Sequence, residues 1–574
     1  MRETNMKKAI SMSKLLPVAM LALASLFTAT AHAAAPGITG TGTVGTFNLT
    51  AQTAFITQPD GAAVYSWGYG CATTTATFAP TAIATPSGGC PSMQVPGPTL
   101  IVTERQTVTV TLTNGLPTSA GNTSILFPGF NVCAATLNAT TGACSGTPTG
   151  VAGVLTQEAA PGRSVTYTFV ASTPGTHAYY SGTQGDLQIE MGLYGAIIVL
   201  PASVPSNCTA NQATGTGGLG FAGANGVAEA HWGESDFRLA AAAYDHAQTC
   251  YDREYLFQFS EMDSFIHGQA LAQVKAAGTC TVGAPGCSLN VPTEPYHPAY
   301  FLINGRSMPD LMDPNYALEY PHQPYNGNPH MHPGEQVLVR VIGQGRWQHP
   351  FHEHGNHVRI LGRDGNLILS ASNSVTNPAL AGPLLFTTTT TPGQAFDGIF
   401  YWTGRGLNWD AYAHHSVSSS SDPNATLPCN PDANGYNTGA PTAINYYEWC
   451  QDHNKPLQVA PFGDVAAGGP ATLPDPNLFT NGAWYGGSPY LGPDATTRAV
   501  GGSCTGSNNT TACITTGTTP PSGRSVNLPS TEAGFAFMWH SHNEREITTN
   551  NIFPGGMLMM MLVDSREFVI DESN

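Results

Sequence analysis

Charge is scarce in this chain. Asp, Glu, Lys and Arg make up 10% of its 574 residues, against roughly a quarter in ordinary soluble proteins. The charges present lean acidic, to a formal net charge of −17, and no basic run follows the N-terminal leader. Phosphate backbones and anionic lipid surfaces attract cations, so nucleic acid and membrane-surface partners are set aside. Long apolar runs are missing as well. After the leader none reaches membrane-spanning length, which excludes membrane insertion once the leader is removed. Histidine is nearly absent from the first third, where His177 stands alone between Ala34 and Pro201. None of the twelve cysteines forms a Cys-x-x-Cys pair.

What is abundant points to strands. Gly (64), Pro (44) and many Thr favour short strands and turns over helices, and 41% hydrophobic residues supply a core for two or three domains. The expected class is all-β. The leader itself has basic Lys7, Lys8 and Lys14, an apolar run from Leu15 to Ala24, and small residues at Ala31-His32-Ala33 before Ala34. That order is an export signal cut after Ala33, with the mature protein periplasmic or extracellular. An even cysteine count fits an oxidising compartment. Sequence neighbours suggest the pairs Cys71–Cys90, Cys133–Cys144, Cys208–Cys250, Cys280–Cys287, Cys429–Cys450 and Cys504–Cys513.

The two halves carry a degenerate repeat. Gln106 to Thr113 alternates strictly as a half-buried strand, and Gln336 to Ile342 does similar work later. Ser124-Ile125-Leu126-Phe127-Pro128-Gly129-Phe130 is followed in the second half by His349-Pro350-Phe351-His352-Glu353-His354-Gly355. Pro161-Gly162-Arg163 parallels Pro392-Gly393-Gln394, and Tyr180-Ser181-Gly182 parallels His540-Ser541-His542. The expected organisation is a first β-domain over 34–202, a connecting excursion over 203–290 with one helix from Ser264 to Ala276, and a second β-domain over 291–574. A Gly/Pro/Asn/Thr-rich insertion, about 406–530, interrupts the second domain.

These motifs resemble the multicopper oxidases of the cupredoxin superfamily. His349 to Gly355 matches the family's His-Pro-x-His-x-His-Gly run, His540-Ser541-His542 matches its His-Cys-His except at the centre, and Gly192-Leu193-Tyr194-Gly195 matches the close of its first domain. The resemblance spans most of 90–200 and 300–405, plus 534–563. It implies tandem cupredoxin-like Greek-key β-sandwiches with long disulfide-bearing insertions.

It also implies copper, with two departures. The family's type 1 centre needs a cysteine thiolate where Ser541 stands, and a serine hydroxyl is a hard, weak ligand that stays protonated. Its second histidine would fall near Glu546, leaving His349. The trinuclear cluster needs eight histidines, but the first-domain positions read Leu126, Pro128, Tyr180 and Gly182. The first domain is therefore expected to be metal-free.

Residues two apart on a strand share a face, so His352 with His354 and His540 with His542 form a candidate metal set, with His349 a weaker member. Copper is the expected ion, with zinc or manganese as options for the same ligands. Glu353, Glu544, Glu546 and Tyr180 are candidates for an extra ligand or a catalytic acid or base. A His540/His542/Glu546 set, as in the first metal motif of the cupins, is a further option. His330, His332 and His357 offer a possible second metal site, and Met557 to Met561 reads as core packing. Gly40-Thr41-Gly42-Thr43-Val44-Gly45 has nucleotide-loop spacing, but no helix start follows it.

Two functions fit. One is an exported copper-binding oxidoreductase with a mononuclear or partial centre and no laccase-type electron relay, acting on a small molecule or a metal ion. The other is a non-catalytic metal-binding or scaffold protein that retains the fold. A homo-oligomer is possible for either.

Overall fold

The computed structural model describes residues 35–83, 86, 88–209, 234, 236–370, 378–405, 428–441, 443, 445–451, 487–490 (backbone only), 534–564, 566 and 570. Its principal strands are β1 (Gly37–Gly40), β2 (Thr46–Thr57), β3 (Ala63–Cys71), β4 (Thr77–Ala79), β5 (Leu100–Thr103), β6 (Thr107–Asn114), β7 (Ser164–Val170), β8 (Gly175–Tyr180) and β9 (Tyr194–Leu200) in the first half. The second half contributes β10 (Arg253–Met262), β11 (Tyr300–Ile303), β12 (Gln336–Gly343), β13 (His349–Glu353), β14 (Val358–Arg363), β15 (Thr387–Thr390), β16 (Ala395–Tyr401), β17 (Gly534–Ser541) and β18 (Leu558–Asp564).

Each half is a sandwich of two mixed sheets. In the first, the order β8-β9-β5-β1-β4 faces β7-β6-β2-β3. Alternation makes the core: Val108, Val110 and Leu112 of β6 and Val165, Tyr167 and Phe169 of β7 point inward, while the intervening threonines are partly or fully exposed. In the second, β11-β10-β12-β16-β14 faces a sheet in which the short strand His330–Met331 is followed by β18, β17, β13 and β15. Its core is aromatic and sulfur-rich, with Tyr255, Phe257, Phe259, Phe351, Phe400 and Trp539 packed on Met557, Met559 and Met561. The methionines thus serve packing, as their placement on the closing strand suggested. The Gly40 to Gly45 segment is a turn leading into strand β2, not a helix.

One segment differs from the sequence reading. Arg253 to Met262, assigned to the connecting excursion, is the parallel neighbour of β12 and belongs to the second sandwich. Its polar residues Glu254, Gln258 and Ser260 are buried, because that side of the sheet meets the first half. There Tyr194 of β9 contacts Ser260 at 2.7 Å, and Asp397 accepts hydrogen bonds from the Thr176 hydroxyl and the Tyr244 hydroxyl, each at 2.6 Å. Arg340 pairs with Glu254 at 2.9 Å in the same cluster.

The helix α1 (Ser264–Ala277) begins where the Asp263 side chain accepts the Phe265 amide at 2.9 Å and stops at Gly278. It buries Ile266 and Ala270 against the first core. Five disulfides join the expected partners from Cys71–Cys90 to Cys429–Cys450. Cys504 and Cys513 lie outside the described residues, as does most of the 406–530 insertion.

Candidate metal centre

The centre is built by one strand pair. Strands β13 and β17 run antiparallel with Phe351 opposite Ser541, His352 opposite His540 and Glu353 opposite Trp539. The ladder continues past both ends, since the His542 amide donates to Pro350 and the His354 amide to Met538. With a period of two, His352, His354, His540 and His542 fall on one face. Gly355 ends the run at φ +100°, where a Cβ would come within 3.0 Å of the Phe537 ring.

Three of the four imidazoles meet closely. One nitrogen each from His352, His354 and His540 lies within 4.8 Å of the others. His540 Nε2 is 3.2 Å from His354 Nε2, while its Nδ1 contacts the Ser541 carbonyl at 2.7 Å. That second contact fixes the tautomer with the proton on Nδ1, leaving Nε2 turned toward the cluster. His352 Nδ1 meets the Thr387 hydroxyl at 2.5 Å. His542 sits on the rim, with its ring 4.7 Å from that of His352 and its Nδ1 3.4 Å from the exposed Glu544.

Burial, and then repulsion from His354, His542 and His540, pushes His352 down to about 3. Burial is also the main influence that lowers His540. Both rings are therefore neutral at physiological pH and present lone pairs rather than charge. A cluster of neutral imidazoles suits copper, zinc or nickel and contains no thiolate. The residues fit a metal held by nitrogen and do not fit a type 1 centre.

The opposite face of the same strands is different. His349 and Ser541 point there, and Glu546 joins them from the following turn. His349 Nδ1 is 2.8 Å from Glu546, and its Nε2 is 2.9 Å from Glu261 of β10. The Ser541 hydroxyl donates to the same Glu546 oxygen, and Asn543 Nδ2 donates to the other at 2.8 Å. Glu261 is held in turn by the Arg346 and Trp347 amides at 2.7 and 2.9 Å. The positions that the resemblance assigns to a type 1 centre, His349, Ser541 and Glu546, are thus engaged with one another and with Glu261 in a carboxylate–imidazole–carboxylate triplet.

Several sequence candidates are corrected by this geometry. His349 and Glu546 engage each other away from the imidazole cluster, so neither the weaker fifth histidine nor the cupin-like set assembles. Glu353 is wholly buried on the core side, where burial pushes its carboxyl well above the usual range. Tyr180 packs against Gly393 at the boundary between the halves, not against the four histidines. His330 and His332 are tied to Asp564 and Glu234 at 2.6 and 2.8 Å, and His357 stacks edge-on with Phe386, so these three do not converge. Sequence reasoning missed Glu261, whose only signal was an acidic residue in an otherwise strand-like run.

The first half repeats the arrangement without ligands. Leu126 and Tyr180 exchange a backbone bridge in the way His352 and His540 do. Thr123, three residues before Leu126, and Ser181, next to Tyr180, both donate to Gln188 Oε1, at 2.9 and 2.7 Å. The equivalent positions in the second half are His349 and Ser541, with Glu546 as the acceptor.

Fold and site together define a tandem cupredoxin-like protein with a candidate imidazole metal site in its second half. Residues 90–203 match the family model described as multicopper oxidase, although the corresponding positions Leu126, Pro128, Tyr180 and Gly182 carry no histidine. That family implies a copper cofactor. Among solved structures, the chain is similar to a multicopper oxidase called mgLAC (15% identity, TM-score 0.40, covering 90% of this chain and 85% of that one). It is similar to a blue copper oxidase from Nitrosomonas europaea (14%, TM-score 0.40, 90% and 85%) and to a copper nitrite reductase from the same organism (18%, TM-score 0.32, 61% and 83%). No curated protein matches the chain.

The triplet has a pH signature. Burial lowers the pKa of His349, but the hydrogen bonds and charges of Glu261 and Glu546 outweigh it and hold the ring at about 9, above its ordinary 6.5. A raised histidine stabilises the fold fully below its unfolded pKa, and that contribution is lost as pH rises through the folded one. Metal-free protein should lose roughly 3 kcal/mol of unfolding free energy between about pH 6.5 and pH 9.5 through this group. Urea unfolding across that range checks the slope, and Glu261→Gln should flatten it; an equal slope in the variant would contradict the assignment.

Proposed function

We propose that this chain is an exported copper-binding oxidoreductase of the multicopper oxidase superfamily, with a mononuclear centre held by imidazole and no laccase-type electron relay. The observation that carries the reading is the meeting of His352, His354 and His540 within 4.8 Å on one face, while Glu546 and His349 occupy the other. His352, His354 and His540 would hold the ion, with His542 at the rim. When bound, copper supplies one-electron redox chemistry, for which a small molecule or a metal ion is a suitable substrate class.

The residues around the ion have separable tasks. The Ser541 carbonyl and the Thr387 hydroxyl orient two of the rings, and Phe386, 5.6 Å ring to ring from His352, covers one side. His542 and Glu544 are exposed, so the rim is where a substrate would approach. A non-catalytic protein that buffers or carries copper or zinc at the same nitrogens is the second reading.

The test is copper stoichiometry after loading and dialysis. The parent should retain about one copper per chain, and a His352→Ala/His540→Ala variant close to none. Full retention by a folded double variant would show that the ion sits elsewhere.

Export is part of the proposal. The basic, apolar and small-residue segments of the leader support it, and so do five disulfides among the described residues. Protein recovered from the periplasm or medium should begin at Ala34 on N-terminal sequencing. An uncut chain confined to the cytoplasm would contradict it.

A further inference from the structure

The carboxylate–imidazole–carboxylate triplet is an expensive way to fill a sheet interface. Moving ions out of water costs several kcal/mol each after relaxation, and only close pairing recovers it. Glu261, His349 and Glu546 are all essentially inaccessible. Holding the strands together does not require charge. In the first domain the matching positions form a neutral clamp, with Thr123 and Ser181 donating to Gln188. The charged version occurs in the domain that carries the histidine cluster.

The triplet also connects physically to that cluster. Glu546 receives the Ser541 hydroxyl, and the Ser541 carbonyl in turn contacts His540 Nδ1. One residue thus links the buried ion group on one face to ring orientation on the other. Two carboxyl groups flank a single imidazole, so the triplet holds one more acidic group than basic ones.

We propose that the Glu261–His349–Glu546 triplet is a positioning and charge-setting element for the metal centre, acting through Ser541 to fix the His540 ring and placing net negative charge behind the ion. This rests on the copper reading above. Negative charge behind the ion favours the more positive oxidation state and so lowers the Cu(II)/Cu(I) potential. It also strengthens binding of the cation itself.

The test compares Glu546→Gln with Glu294→Gln, which removes an equal charge from the surface, where Glu294 pairs with Arg346. Three properties are read: the potential of the bound copper, its paramagnetic hyperfine pattern, and the His540 ring nitrogen shifts in copper-free protein. Glu546→Gln should raise the potential, alter the hyperfine pattern, weaken copper by about ten- to a hundredfold and move the His540 shifts, while Glu294→Gln does none of these. A folded Glu546→Gln protein with parent values would overturn the proposal. Should that variant not fold, Asn543→Ala removes the 2.8 Å hydrogen bond on the outer oxygen of Glu546, together with the 3.3 Å bond its Oδ1 accepts from the Arg545 amide, keeps the Glu546 carboxyl, and is read in the same three ways. A parent protein that binds no copper sinks the copper reading. The copper-free His540 shifts still decide the positioning role in that case: movement in Glu546→Gln supports it and constancy overturns it.

Discussion

Everything distinctive about this molecule depends on the register between β13 and β17. Because His352 stands opposite His540, the period-two pleat sends four imidazoles to one side and His349 with Ser541 to the other. A slip of one residue would bury the imidazoles among Phe257, Phe400 and Trp539 and leave Glu353 outside. The apolar side chains Phe351 and Trp539, both fully buried, are what forbid that slip. Hydrophobic packing therefore sets the geometry of a polar site.

The same register appears in the first domain, where Leu126 faces Tyr180 and no imidazole is present. That domain closes its core with Val108, Val110, Tyr167 and Phe169, all within the 90–203 stretch matched by the multicopper oxidase model. What differs between the halves is the side chains placed on an equivalent strand pair. In one half they are neutral and satisfied by Gln188. In the other they divide into a neutral imidazole face and a charged face, separated by the thickness of a strand.

Much of this was legible in the sequence because it follows from local periodicity. Two His-x-His runs on strands must each share a face, the capped helix from Ser264 is a local signal, and near-neighbour cysteines pair across short loops. The partners of His349 were not legible. Glu261 lies 88 residues away on β10, and its strand was obscured because Glu254, Gln258 and Ser260 look like an exposed edge while the domain boundary buries them. Glu546 and Glu353 were misplaced for a related reason. Sequence spacing shows that a carboxylate is near a histidine, but not on which side of the sheet it emerges, and that depends on a turn at Asn543 and on the pleat.

The central claim is that the metal is held by imidazole alone while the type 1 position is closed by charge. The most direct measurement is the visible and paramagnetic resonance spectrum of the copper-loaded protein. The account predicts a weak, non-blue absorption with an ordinary copper(II) signal split by nitrogen ligands. An intense blue band with the narrow hyperfine pattern of a thiolate-bound copper would contradict it.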